Sequence, residues 1–124
     1  MNHPFALLAN HCVAASQLAL DYQPLPPEKI VTGAPRVGTA ELGRLGDCCL
    51  GVWELTPSVS TDVEADEFFI VLSGAATVTF ADGTPSLQLH AGSVGRLRAG
   101  TATTWTVTET LRKVYVILDA DGAA

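Results

Sequence analysis

The sequence predicts an all-β chain, a sandwich or double-sheet barrel of short strands in a single domain. Three observations predict it. From Lys29 onward no segment carries the apolar period of a helix. The same stretch is cut at short intervals by Gly, Pro and Asp between runs rich in β-branched and aromatic residues. The 124 residues leave room for one core.

Taken in order, residues 1–27 read as an N-terminal arm and residues 28–120 as the barrel. The arm ends in Gln23, Pro24, Leu25, Pro26 and Pro27, whose prolines exclude a regular helix or a central strand there. Asn10 to Leu20 is expected to form a short helix. The arm is expected to pack on the barrel or on a partner subunit. Strands are expected at Lys29–Thr32, Leu42–Leu45, Cys49–Thr56, Glu67–Ser73, Ala76–Ala81, Ser86–Leu89, Val94–Arg98, Thr103–Thr108 and Leu111–Leu118. Asp82-Gly83 has the chemistry of a tight turn, and Gly74, Gly92 and Gly100 punctuate other strand ends.

Alternation along a strand sorts its faces. Thr103, Trp105 and Val107 share one face, expected to be interior. Thr104, Thr106 and Thr108 share the other, suited to solvent or a subunit contact. Glu67, Phe69 and Val71 oppose Phe68, Ile70 and Leu72, so both faces of that strand are apolar. Such a strand is central, with its second face covered by another sheet or subunit.

Composition narrows the partners. Thirteen acids stand against seven Lys and Arg, a net charge of -6. That balance repels phosphate backbones and anionic lipid, so neither nucleic acid nor a membrane surface is expected. Cys12, Cys48 and Cys49 are an odd set with two adjacent thiols, a poor disulfide framework. Reduced thiols in a cytoplasmic protein are the expectation, with a Cys48–Cys49 redox pair as the alternative. The apolar start lacks Lys or Arg before the apolar run and is interrupted by Asn10 and His11, against a secretion signal.

Spacing then becomes recognisable. Cupins carry a first motif G-x5-H-x-H-x3,4-E-x6-G and a second G-x5-P-x-G-x2-H-x3-N. Here Glu67 is followed by six residues and Gly74, and Gly92 by five residues, Arg98, Ala99 and Gly100. The runs Gly51-Val52-Trp53-Glu54, Asp66-Glu67, Val71-Leu72-Ser73-Gly74 and Trp105-Thr106-Val107 add to the likeness, as do Glu109 and Arg112 to Tyr115. Over roughly residues 28–118 the chain resembles single-domain cupins similar to ureidoglycine aminohydrolase and the ethanolamine-utilisation cupin. The resemblance implies a double-stranded β-helix, the RmlC-like jelly-roll barrel. It also implies a ligand site inside the barrel near its mouth. A homodimer is expected on other grounds, because the Thr-rich face, the doubly apolar Glu67 strand and the proline-rich arm all offer pairing surface.

The chain departs from the family at the metal positions. The H-x-H pair falls on Ser60 and Asp62, or on Thr61 and Val63. The second motif's histidine falls on Thr103, its proline on Arg98 and its asparagine on Val107. Only Glu67 of four ligand positions persists. No metal and no other cofactor are expected, because a lone carboxylate among hydroxyls holds transition metals weakly. His3, His11 and His90 show no ligand spacing. Asp62, Glu64, Asp66 and Glu67 put four acids in six residues. That segment reads as a solvated acidic loop, or alternatively as an oxygen site for a hard cation, although alternation would turn Glu67 away from the other three.

By alternation and by the family pattern, Glu67, Trp105, Lys113 and Tyr115 project into the barrel. Glu67, Lys113 and Tyr115 are the catalytic candidates. Lys113 suits a small anion, Trp105 a planar group, and Glu67 or Tyr115 a proton transfer. Thr103, Trp105, Trp53 and Glu54 are the ligand-binding candidates, although Trp53 and Glu54 point to opposite faces and only one can line the site. Arg96 and Arg98 read as surface or interface groups, with a place over the site's entrance as the alternative for Arg98. Two functions stay open. One is a metal-independent enzyme on a small polar metabolite, nitrogen-containing or carboxylic, with Glu67 as acid or base. The other is a non-catalytic ligand-binding or accessory dimeric module, its Glu67 and Lys113 a structural ion pair.

Overall fold

The computed structural model describes residues 6–119. His3 and the expected end of the barrel at residue 120 lie outside the described residues. Nine strands follow the chain: β1 (Asp21–Pro24), β2 (Ile30–Thr32), β3 (Arg36–Leu45), β4 (Cys48–Leu55), β5 (Ser58–Val63), β6 (Glu67–Phe80), β7 (Leu87–His90), β8 (Val94–Leu97) and β9 (Ala102–Leu118). A 3-10 turn at Pro27–Lys29 is the only helical element among the described residues, so none of their helices is long and apolar enough to cross a membrane.

Two strands build the jelly roll. The first half of β9 pairs with β5 on one side and with the second half of β6 on the other. Its second half pairs with β4 and with the first half of β6. One layer therefore runs β1-β3-β4-β9-β6-β8, and the other runs β2-β5-β9-β6-β7. The layers share β6 and β9, which turn the corner where their register slips between Val71 and Ala76. Gly74 makes that corner possible: its φ is +95°, and a Cβ there would lie 2.0 Å from the Thr110 carbonyl oxygen.

The core lies between the layers, where Leu55, Phe69, Val71, Val78, Leu97, Trp105, Val107 and Leu111 pack together. On β9 Trp105 and Val107 face inward as alternation predicts; on β6 Glu67, Phe69 and Val71 are buried while Phe68 and Ile70 are exposed, so this chain's own sheets do not supply the cover expected over that strand's second face. β3 begins at Arg36, ahead of the expected Leu42, and expectation and structure differ in three larger respects. Two expected strand pairs are single long strands, β6 and β9, because the intervening Gly74 and the Thr108–Thr110 segment bend the ladder without ending it. β5 was not anticipated. Its inward positions are Ser58 and Ser60, so it lacks the apolar alternation that marks a strand.

The third difference is the arm, which forms turns and the edge strand β1 where a helix over Asn10–Leu20 was expected. The reason is visible in Arg112. Its guanidinium donates to the carbonyls of Ala15 and Leu18 at 2.9 and 2.8 Å, and to Glu54 at 2.8 Å. Carbonyls that a helix would satisfy internally are instead turned onto the barrel. Leu7 adds a backbone bond to Leu42. The arm is thus fastened to the outer face of the β4–β9 layer.

Candidate functional site

A cavity of about 290 Å³ opens between the layers at one end of the barrel. Its floor comes from β9, where Trp105, Lys113, Tyr115 and Ile117 project inward, and from Glu67 at the head of β6. Trp53 of β4 and Ser60 of β5 form opposite walls, and Lys29, Asp62 and Glu64 stand near the mouth. Register explains the grouping: Trp53 lies opposite Lys113, Gly51 opposite Tyr115, and Ser60 opposite Trp105.

The central feature is a buried ion pair. Lys113 Nζ donates to Glu67 Oε2 at 2.6 Å, with the two residues 5% and 6% exposed. Removing two charges from water costs several kcal/mol per ion, and the pair survives only with good geometry and further partners. Three aromatic rings supply part of that compensation. The ammonium lies 4.6 Å from the Trp53 ring centroid, 4.8 Å from Phe69 and 4.8 Å from Trp105. Each such contact contributes roughly 0.5–2 kcal/mol when desolvated.

A second carboxylate, Glu64, is 8% exposed. Its Oε2 accepts from the Thr103 hydroxyl at 2.5 Å and from the Trp105 indole N–H at 2.9 Å. Burial raises its pKa above the usual carboxylate range, with these two hydrogen bonds opposing and the Asp62 charge adding to the rise. Trp105 thus links the two acids, its ring against the Lys113 ammonium and its N–H on Glu64. The solvated acidic loop expected over Asp62–Glu67 is corrected here. Residues 64–66 leave the extended conformation between β5 and β6, so alternation fails and Glu64 reaches the same cavity as Glu67.

Tyr115 is pushed up to about 12, first by burial and then by the nearby Cys49, Glu41 and Glu67 groups. At neutral pH its phenol is a proton donor, not a base. It packs over Gly51, where a Cβ would meet the phenolic oxygen at 2.2 Å. Cys49 donates its thiol to Glu41 at 3.0 Å, and burial above all pushes it up to about 11, which leaves little thiolate for redox chemistry.

Of the other sequence candidates, Trp53 lines the cavity. Thr103 is buried and serves it through Glu64. Glu54 lies on the opposite face of β4, where it binds Arg112 and accepts from the Tyr22 hydroxyl at 2.5 Å. Arg96 sits on the surface beside Asp66, and Arg98 is exposed. Sequence reasoning missed Glu64 as a site residue and Arg112 as the anchor of the arm. At the family's metal positions, Ser60 faces inward and Asp62 is paired with Lys29 at 3.2 Å. His11 bonds to Ala9 on the arm and His90 is exposed at the end of β7. Among the described residues no three His, Cys, Asp or Glu side chains are grouped to hold a metal ion.

A two-layer antiparallel jelly roll with its cavity at one mouth defines a cupin barrel. A family model described as the EutQ-like cupin domain matches residues 42–115, and the chain belongs to that family. Solved structures agree on the fold. A putative ethanolamine utilization protein Q from Salmonella typhimurium is 20% identical with a TM-score of 0.60, over 68% of this chain and 71% of that one. The EutQ protein of Clostridium difficile is 19% identical with a TM-score of 0.62, over 80% and 82%. A cupin superfamily protein from Desulfitobacterium hafniense is 12% identical with a TM-score of 0.62, over 96% and 98%. No curated protein sequence matches this chain.

Proposed function

We propose that the barrel binds a small polar metabolite, nitrogen-containing or carboxylic, in the cavity above the Glu67–Lys113 pair, and does so without a metal. The observation that carries this reading is the set of charged and aromatic groups buried around an open volume of about 290 Å³. A chain that needed only a packed core would fill that space with apolar side chains at lower cost. The residues at the cupin metal positions do not fit a transition-metal centre. Imidazoles are absent from them, and Glu67 is already engaged by an ammonium group.

If the bound metabolite is turned over, Glu67 is the acid or base, with Tyr115 as a neutral proton donor beside it. A thermal-shift screen of small amines, amides and carboxylic acids tests the reading, since a ligand of the native state raises apparent stability by mass action. Compounds that shift the transition are then followed for product. Unchanged turnover in Glu67→Gln would remove the acid–base role.

One observation favours the non-catalytic alternative, a binding or accessory module. Glu67 is held by Lys113 at 2.6 Å, a buried ion pair that a structural role accounts for without any turnover. Tight binding with no product from any bound compound would decide for it.

A further inference from the structure

We infer that the cavity is built for a small nitrogen cation, a primary ammonium or a guanidinium-type group, received by the free oxygens of Glu64 and Glu67. This rests on the reading of the cavity as a ligand site and selects one of its two ligand classes.

The two carboxylates are each more than nine-tenths buried, at 8% and 6% exposure. Each is satisfied on one oxygen only. Glu64 Oε2 takes both the Thr103 and Trp105 donors, and Glu67 Oε2 takes Lys113. Among the described residues neither Oε1 accepts a hydrogen bond, yet no buried side-chain oxygen is left both sealed and unpartnered. Both oxygens therefore keep some solvent access, and both residues line the cavity. Two buried carboxylates, each presenting a vacant acceptor to one volume, ask for a ligand that donates.

Charge points the same way. The lining holds the acids Asp62, Glu64 and Glu67 against the bases Lys29 and Lys113. Lys29 is spoken for by Asp62 and Lys113 by Glu67, so the Lys113 charge reaches Glu64 without pairing with it, and no base forms an ion pair with Glu64 among the described residues. A carboxylate ligand would find no free cation: the Lys113 ammonium is enclosed by Glu67 and by the Trp53, Phe69 and Trp105 rings. An ammonium or guanidinium ligand would neutralise Glu64 and donate to both open oxygens.

The test uses the full chain and its own reporters, since both tryptophans, Trp53 and Trp105, line the cavity. Intrinsic fluorescence is titrated with n-propylamine, methylguanidine and propionate at fixed pH and ionic strength. The two cations are expected to give saturable changes and propionate none, a comparison that needs no substitution. Glu64→Gln keeps an oxygen for Thr103 and Trp105 and turns the open oxygen into an N–H donor. It is expected to weaken both cations by at least about tenfold. Propionate binding as tightly as propylamine, or cation binding unchanged in Glu64→Gln, would overturn the inference while leaving a ligand site in place. Silence toward all three probes would remove the ligand site as well.

Discussion

Replacing Lys113 with methionine isolates the pair at the base of the cavity. Methionine keeps the length of the side chain and can still pack against Trp53, Phe69 and Trp105. What it removes is the only hydrogen-bond partner, among the described residues, of a carboxylate that is 6% exposed. Breaking a buried pair from one side costs about 3–5 kcal/mol, because the remaining charge stays desolvated. Spread over the unfolding entropy of a chain this size, that lowers Tm by roughly 10–20 °C. Removing both charges, as Lys113→Met with Glu67→Leu, is expected to recover most of the loss, since apolar groups of similar volume replace buried ions at little or no cost. Urea denaturation of the two single variants and the double variant closes the cycle. A cost below about 1 kcal/mol for Lys113→Met, the range of an exposed pair, would refute the claim that this pair is buried and mutually dependent.

Glu64 has a raised pKa, so the folded chain holds its proton more tightly than the unfolded chain. That contribution is present in full below the unfolded carboxylate range and is lost as pH rises through the folded value. Glu64→Gln is therefore expected to gain stability relative to wild type as pH is raised from 4 to 8, and urea midpoints that differ by a constant amount across this span would contradict it. Arg112→Ala should release the arm, with a loss of about 2–4 kcal/mol and faster proteolytic cleavage between residues 10 and 20; an unchanged digestion pattern would show that the arm is held by other contacts. Phe68, Ile70, Val94 and Val116 share the exposed outer face of the first layer, and a second copy of the chain is expected to cover it. A clean monomer in gel filtration at micromolar concentration would remove that expectation.

How far the sequence could be read depended on whether local rules applied. Alternation works where a strand is regular and one face is apolar, and together with the family pattern it placed Glu67, Trp105, Lys113 and Tyr115 inside the barrel. It missed β5, whose buried positions Ser58 and Ser60 carry no hydrophobic signal. It also misjudged Glu64, because residues 64–66 are not extended and the parity of a strand is lost across them. The arm could not be assigned locally. Its turns are held by an arginine 94 and 97 residues away in the chain, and no pattern within residues 10–20 encodes that contact. Motif spacing carried more than propensity, since the distance from Glu67 to Gly74 marks the corner where both long strands bend.

A fluorescence titration performed with a chelator present reaches furthest into the account. Adding a ligand identified by thermal shift to protein held in excess EDTA should change the emission of Trp53 and Trp105 saturably, and the double variant lacking Glu67 and Lys113 should lose the response. An emission change that needs a divalent transition metal, and that vanishes on chelation, would contradict a cavity that works through its own ammonium, carboxylates and rings.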